Sequence, residues 1–80
     1  MDFETYTGPA GTIRAALITD KHTRYLQREG HHRYSIGFVE FRALCKPRAG
    51  DYVVYRSGET AFVITPDKFK EMYHVNQASQ

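Results

Sequence analysis

The stretch "KHTRYLQREGHHRY", Lys21 to Tyr34, gathers the side chains best suited to meet a charged partner. Lys21, Arg24, Arg28 and Arg33 offer cationic donors for phosphate or carboxylate, and Tyr25 and Tyr34 offer ring faces for stacking. His31 and His32 add donors whose charge changes near neutral pH. This is chemistry for binding, with neither a nucleophile nor a pair of acids. It suits a protein surface, a nucleic acid or a nucleotide, and it equally suits a solvated face that keeps a small domain in solution.

Charge distribution sharpens that reading. The 80-residue chain carries a formal net charge of +2. Residues 1 to 12 hold Asp2 and Glu4 and no base, whereas residues 13 to 48 hold eight Lys or Arg against Asp20, Glu29 and Glu40. The basic character therefore belongs to the middle of the chain. A sequence pI near 8.8 is low for a dedicated nucleic-acid binder, where a domain value above ~9 is usual. A protein partner is the first expectation, and a nucleic acid or nucleotide the alternative.

Catalytic and metal readings find less support. His31 and His32 are adjacent, so on a strand they point to opposite faces, and no carboxylate pattern joins them, His22 and His74 into a metal site. Cys45 lies in "RALCKPR" without a recognisable base, and beside Leu44 it reads as small core filler. Asp51 and Glu59 fall at a strand start and beside a turn, which does not make them a catalytic pair. "GPAG" at 8–11 lacks the lysine and spacing of a phosphate loop. No metal, cofactor or enzymatic activity is expected.

Elements to position the basic segment can be read along the chain. Thr12 to Thr19 reads as a strand, with Ile13, Ala15 and Leu17 as the better core face. Asp20 to Gly30 reads as a short helix capped by Asp20, with a β-hairpin turning at Glu29-Gly30 as its rival. His31 to Cys45 alternates as an extended segment, Tyr34, Ile36 and Phe38 opposing Ser35, Val39 and Phe41, with Gly37 marking a bulge or bend. "YVVYR" and "ETAFVI" form a hairpin. A two-residue Ser57-Gly58 loop would set Arg56 opposite Glu59, Val54 opposite Ala61 and Val53 opposite Phe62. Both faces of that hairpin are apolar, so one needs cover from a second copy or from Ile13 to Ile18. Thr65, Pro66 and Asp67 then start a helix whose Phe69, Met72 and Tyr73 form a stripe. The expected fold is a single α+β domain over residues 1–80: a mostly antiparallel sheet of about four strands, two short helices, and flexible ends at 1–11 and 75–80.

Several of these residues resemble a pattern seen in small proteins of tailed bacteriophages and prophages. The first part is "TIRA", Thr12 to Ala15, followed by Tyr25 and Gly30; the second is Gly50, Asp51, Tyr52, Val53 and Val54, then Gly58, Pro66, Phe69 and Tyr73. The two parts cover about half the chain and leave His31 to Lys46 unmatched. The resemblance implies a phage origin, a compact α+β fold and the host cytoplasm as place of action, and it carries no activity with it. Joined to the basic segment, it gives the expectation of a phage accessory protein that modulates or inhibits a host protein without catalysis. Lys21, Arg24, Tyr25, Arg28, His31, His32, Arg33 and Tyr34 would make the contact surface. No run approaches the ~18 apolar residues of a spanning helix, and no membrane partner is expected.

Overall fold

A computed structural model describes residues 1–9, 11–56, 58 and 60–75. The β-branched and apolar residues behind the first glycine turn form β2 (Gly11–Leu17), which pairs antiparallel with β1 (Glu4–Gly8). A single helical turn, α1 (Asp20–Thr23), leads to β3 (Gln27–Arg28), β4 (Arg33–Ile36) and β5 (Val39–Arg42). After a loop come β6 (Tyr52–Tyr55), β7 (Ala61–Ile64), α2 (Pro66–Met72) and β8 (His74–Val75). The strands make one eight-stranded sheet among the described residues, in the order β3-β4-β5-β7-β6-β2-β1-β8. Every neighbouring pair is antiparallel except β5 with β7.

The sheet buries both of its faces. Residues directly opposite across strands share a face, so Ala15 beside Val54, and Tyr52 beside Ile64, lie on one side. Ala16 beside Val53, and Val53 beside Val63, lie on the other. Helix α2 covers the first side: Ile13, Ala15, Val54, Phe69 and Tyr73 are one buried cluster, with Tyr6, Tyr52, Ile64 and Met72 at its margin. On the second side Ile18, Val53 and Ala61 cluster with Tyr34, Ile36 and Phe41 of β4 and β5. Those strands are not neighbours of β2, so the sheet must coil until β3–β5 lies over its own inner face. Met1, Phe3 and Leu26 pack against this cluster.

Helix α2 follows the expected local rules. Thr65 is its N-cap and accepts a hydrogen bond from the Lys68 backbone N–H at 3.3 Å, and Pro66 begins the helix. Phe69 stacks on Tyr52 (centroids 3.9 Å apart, 5° between planes), meets the edge of Tyr6 at 4.8 Å and leans on Tyr73 at 5.3 Å. Burial pushes the Tyr6 phenol above the usual tyrosine range, and Glu4, whose carboxylate accepts its hydrogen bond at 3.3 Å, pushes it the same way. At the end of β1, Gly8 lies against the ring of Tyr73, where an added Cβ would overlap ring atoms Cδ1 and Cε1.

Other expectations need correction. The sheet has twice the expected number of strands because β1, β3 and β8 lie in short or polar sequence that concealed them, and the single extended segment expected over His31 to Cys45 divides at Gly37 into β4 and β5. Residues 4–8, expected within a flexible end, are strand β1, held by β2 and by β8. The expected flexible C-terminal end falls on residues 75–80, of which Val75 pairs in β8 and 76–80 lie outside the described residues. The expected helix over 20–30 stops at Thr23: Thr19, not Asp20, is the cap, and the rival hairpin follows. Gly37 is the turn between two separate strands rather than a bulge in one. In the β6–β7 hairpin Val53 faces Val63 and Val54 faces Phe62, one residue away from the expected register. A two-residue loop is therefore not the one used, and β7 turns over: Ala61 and Val63, not Phe62 and Ile64, join Val53. The expected Arg56–Glu59 pair involves Glu59, which lies outside the described residues. The second hairpin face is covered by β4 and β5, so neither a second copy nor a folded-over β2 is needed to bury it. Leu17 stays half-exposed, while Ala16 and Ile18 on the supposed outer face are buried.

Three outcomes test this packing. Phe69→Ala should lower stability by about 3–5 kcal/mol, read as a fall in the urea midpoint. Gly8→Ala should cost about 1–3 kcal/mol through overpacking against Tyr73, whereas Gly58→Ala meets no atom within 4 Å and acts only through its positive φ of 83°; Gly8→Ala in a Tyr73→Leu background should recover part of the loss. Because the folded Tyr6 is the weaker acid, its contribution is complete below its ordinary pKa of 10.0 and is lost as pH rises through the folded value. Tyr6→Phe should therefore flatten the fall of the melting temperature above about pH 10.

Candidate functional site

The basic segment is built from three local devices. Thr19 and His22 form a reciprocal cap: the Thr19 side chain accepts from the His22 backbone N–H at 3.4 Å, and His22 Nδ1 accepts from the Thr19 N–H at 3.1 Å. This starts α1 at Asp20; the helix ends one turn later, where the Tyr25 N–H donates to the His22 carbonyl at 3.1 Å, and Lys21, Arg24 and Tyr25 are left exposed. The β3–β4 hairpin then sets Gln27 opposite Ser35 and Arg28 opposite Tyr34. Its turn, closed by the Glu29 N–H on the Arg33 carbonyl at 2.6 Å, requires positive φ at Gly30 (76°) and His32 (55°). His31 and His32 stand on that turn with rings 6.0 Å apart.

Seven of the eight expected contact residues, Lys21, Arg24, Tyr25, Arg28, His31, His32 and Arg33, are exposed on α1, the following turn and the β3–β4 hairpin. Tyr34 is not. It is buried against Phe41, ring centroids 6.2 Å apart, because alternation along β4 sends it inward where Arg33 points outward. It is core, and no ligand can stack on it. Arg33 forms an exposed ion pair with Glu40 at 3.6 Å, an interaction that positions both groups and adds at most about 1 kcal/mol.

The structure adds two exposed apolar residues that the sequence reading placed in packed segments. Phe38 stands fully exposed on the β4–β5 turn, and Leu44 is largely exposed after β5. Tyr25, two residues before Gln27, and Phe38, just past Ile36, come to the same end of the β3–β4 pair. The available signal was Gly37 directly before Phe38, at φ 63°, which marks a turn tip. Cys45, expected as core filler, is exposed. Asp51 caps a turn by accepting from the Arg48 backbone N–H at 3.0 Å. Among the described residues no group of three or more His, Cys, Asp or Glu side chains could hold a metal ion, and no helix is long and apolar enough to cross a membrane.

A cleft of about 510 Å³ opens between the two parts of the coiled sheet, lined by Phe3, Arg14, Tyr55, Thr60 and Ala61 on one side and Arg33, Val39 and Glu40 on the other. Of these only Arg33 was singled out from sequence. The missed signal was Arg14, a cation in the interior of an otherwise apolar strand. No protein-family model, curated protein or solved structure matches this chain, so its site is read from its own geometry.

The two tyrosines of the basic segment should separate cleanly. Tyr34→Ala should cost about 3–5 kcal/mol of stability, whereas Tyr25→Ala, at 67% exposure, should stay within about 0.5 kcal/mol of the parent; thermal melts of both decide it.

Proposed function

We propose that this chain is a phage-encoded accessory protein that binds a host protein in the host cytoplasm and modulates or inhibits it without catalysis. One observation carries the reading. Tyr25 and Phe38 are the two most exposed Phe or Tyr rings among the described residues, and the β3–β4 register brings their chain positions to the same end of that hairpin, with Lys21, Arg24 and Arg28 exposed on the same stretch of chain. Exposed aromatic anchors inside a cationic rim are the composition of a protein-binding hot spot. The fold does not need these rings, since both apolar clusters close without them. An acidic patch with an apolar centre is the matching partner surface. The phage origin rests on the resemblance of "TIRA" and the Gly50-to-Tyr73 pattern described above.

An exposed Tyr25 on the same stretch of chain as the exposed Arg24 and Arg28 also favours a second reading, a single-stranded nucleic acid stacked on the ring with phosphates on the guanidinium groups. Capture from nuclease-treated host lysate separates the two. The parent should retain a stoichiometric protein after nuclease, and Tyr25→Ser/Phe38→Ser should lose it while melting as the parent does. Loss of every partner on nuclease treatment would support the second reading. On duplex DNA the affinity should then fall by about 0.9 log units per log unit of salt for each phosphate contacted. A double variant that keeps the protein partner would overturn the surface assigned to it.

A further inference from the structure

The cleft between the two parts of the sheet plays no part in the surface just described, and its lining is more selective. Its volume, about 510 Å³, falls in the range of small-molecule sites, ~300–1,000 Å³. Phe3 and Tyr55 bring rings, Val39 and Ala61 aliphatic surface, and Thr60 a hydroxyl. Arg14 and Tyr55 are direct cross-strand neighbours, as are Thr5 and Arg14. The side chains of Arg14 and Tyr55 therefore leave the same face of the sheet as neighbours. Among the described residues Arg14 has no ion-pair partner, whereas Arg33 shares its charge with Glu40 at 3.6 Å. Two arginines and one glutamate leave the lining one positive charge in excess, centred on Arg14.

We propose that this cleft binds a small aromatic anion: one planar ring system bearing a single anionic group. Ring stacking against Tyr55 and Phe3 supplies the apolar contact, and Arg14 takes the anion through charge-assisted hydrogen bonds. Glu40 adds an acceptor for a ring N–H or O–H, and its presence disfavours a polyphosphate. A mononucleotide and an aromatic carboxylate share this chemistry.

The test is a titration of isotope-labelled protein followed by backbone amide NMR, which needs no macromolecular partner and so fails or succeeds separately from the protein-binding reading. The probes are adenosine 5′-monophosphate, 4-hydroxybenzoate, adenosine and inorganic phosphate. One of the two aromatic anions should shift the amides of Arg14, Val39, Glu40, Tyr55 and Ala61 saturably, and the neutral nucleoside and the bare phosphate should each bind at least about tenfold more weakly. Tighter binding of the monophosphate identifies a nucleotide ligand, and tighter binding of hydroxybenzoate an aromatic acid. Arg14→Gln should weaken binding by about tenfold or more with the rest of the spectrum unchanged, while Arg24→Gln should leave it intact. Adenosine binding as tightly as its monophosphate, Arg14→Gln binding with parental affinity, or no saturable shift at the cleft with either anion would each overturn the proposal.

Discussion

Val53 and Val54 are consecutive residues of one strand, so their side chains leave on opposite faces, and neither reaches solvent (both 0% exposed). That pair sets the terms for everything around it. A central strand buried on both sides needs two covers, and a chain of 80 residues has little material with which to build them. Helix α2 is one cover, brought by Phe69 into a ring cluster with Tyr52, Tyr6 and Tyr73. The other is made by coiling the sheet on itself, so that the same backbone pairing that forms β4 and β5 also delivers Tyr34, Ile36 and Phe41 to the far side of Val53.

This economy gives residues 25–42 two duties at alternate positions. Tyr34 fills the core while Arg33, its neighbour, reaches Glu40 on the outside; Phe41 is buried while Arg42 is exposed. A surface made this way can be changed extensively without disturbing the packing beneath it, since period-two alternation keeps the two sets of side chains on different faces. The turns are where the separation is most complete. Phe38 and the His31–His32 pair stand on connections whose backbone is dictated by Gly37 and Gly30, not by the core.

The parts legible in the sequence were those set by short-range signals. Thr65, Pro66 and the Phe69-Met72-Tyr73 stripe state the start, the direction and the buried face of α2 within nine residues, and the basic character of 21–33 is a matter of composition. Alternation supplied the strands β2, β6 and β7. What escaped was decided by geometry that no local pattern contains. Gly30, the expected C-terminal signal of the first helix, instead serves the β3–β4 turn with its φ of 76°, so the helix read as longer than it is. In the β6–β7 hairpin a register one residue away from the expected one reversed the face of every β7 side chain. Tyr34 looked like a binding ring because it adjoins the basic residues in composition, although its alternation with Ile36 puts it on an apolar face. The cleft joins Phe3, Arg14, Glu40 and Tyr55 across most of the chain length, and only the coiling of the sheet brings them together.

The parallel contact between β5 and β7 rests on two residue pairs, Phe41 with Ala61 and Arg42 with Phe62, against four for β4–β5, three for β6–β7, four for β2–β6 and five for β1–β2. It is thus the shortest seam in the interior of the sheet, and parallel ladders are slightly weaker per residue than antiparallel ones. With so short a ladder, what fastens β3, β4 and β5 to the rest of the sheet is chiefly side-chain burial, the cluster of Ile18, Tyr34, Ile36, Phe41, Val53 and Ala61 that spans the seam. The two halves are glued more than they are stitched, and a substitution inside that cluster would loosen the strand order itself as well as the core.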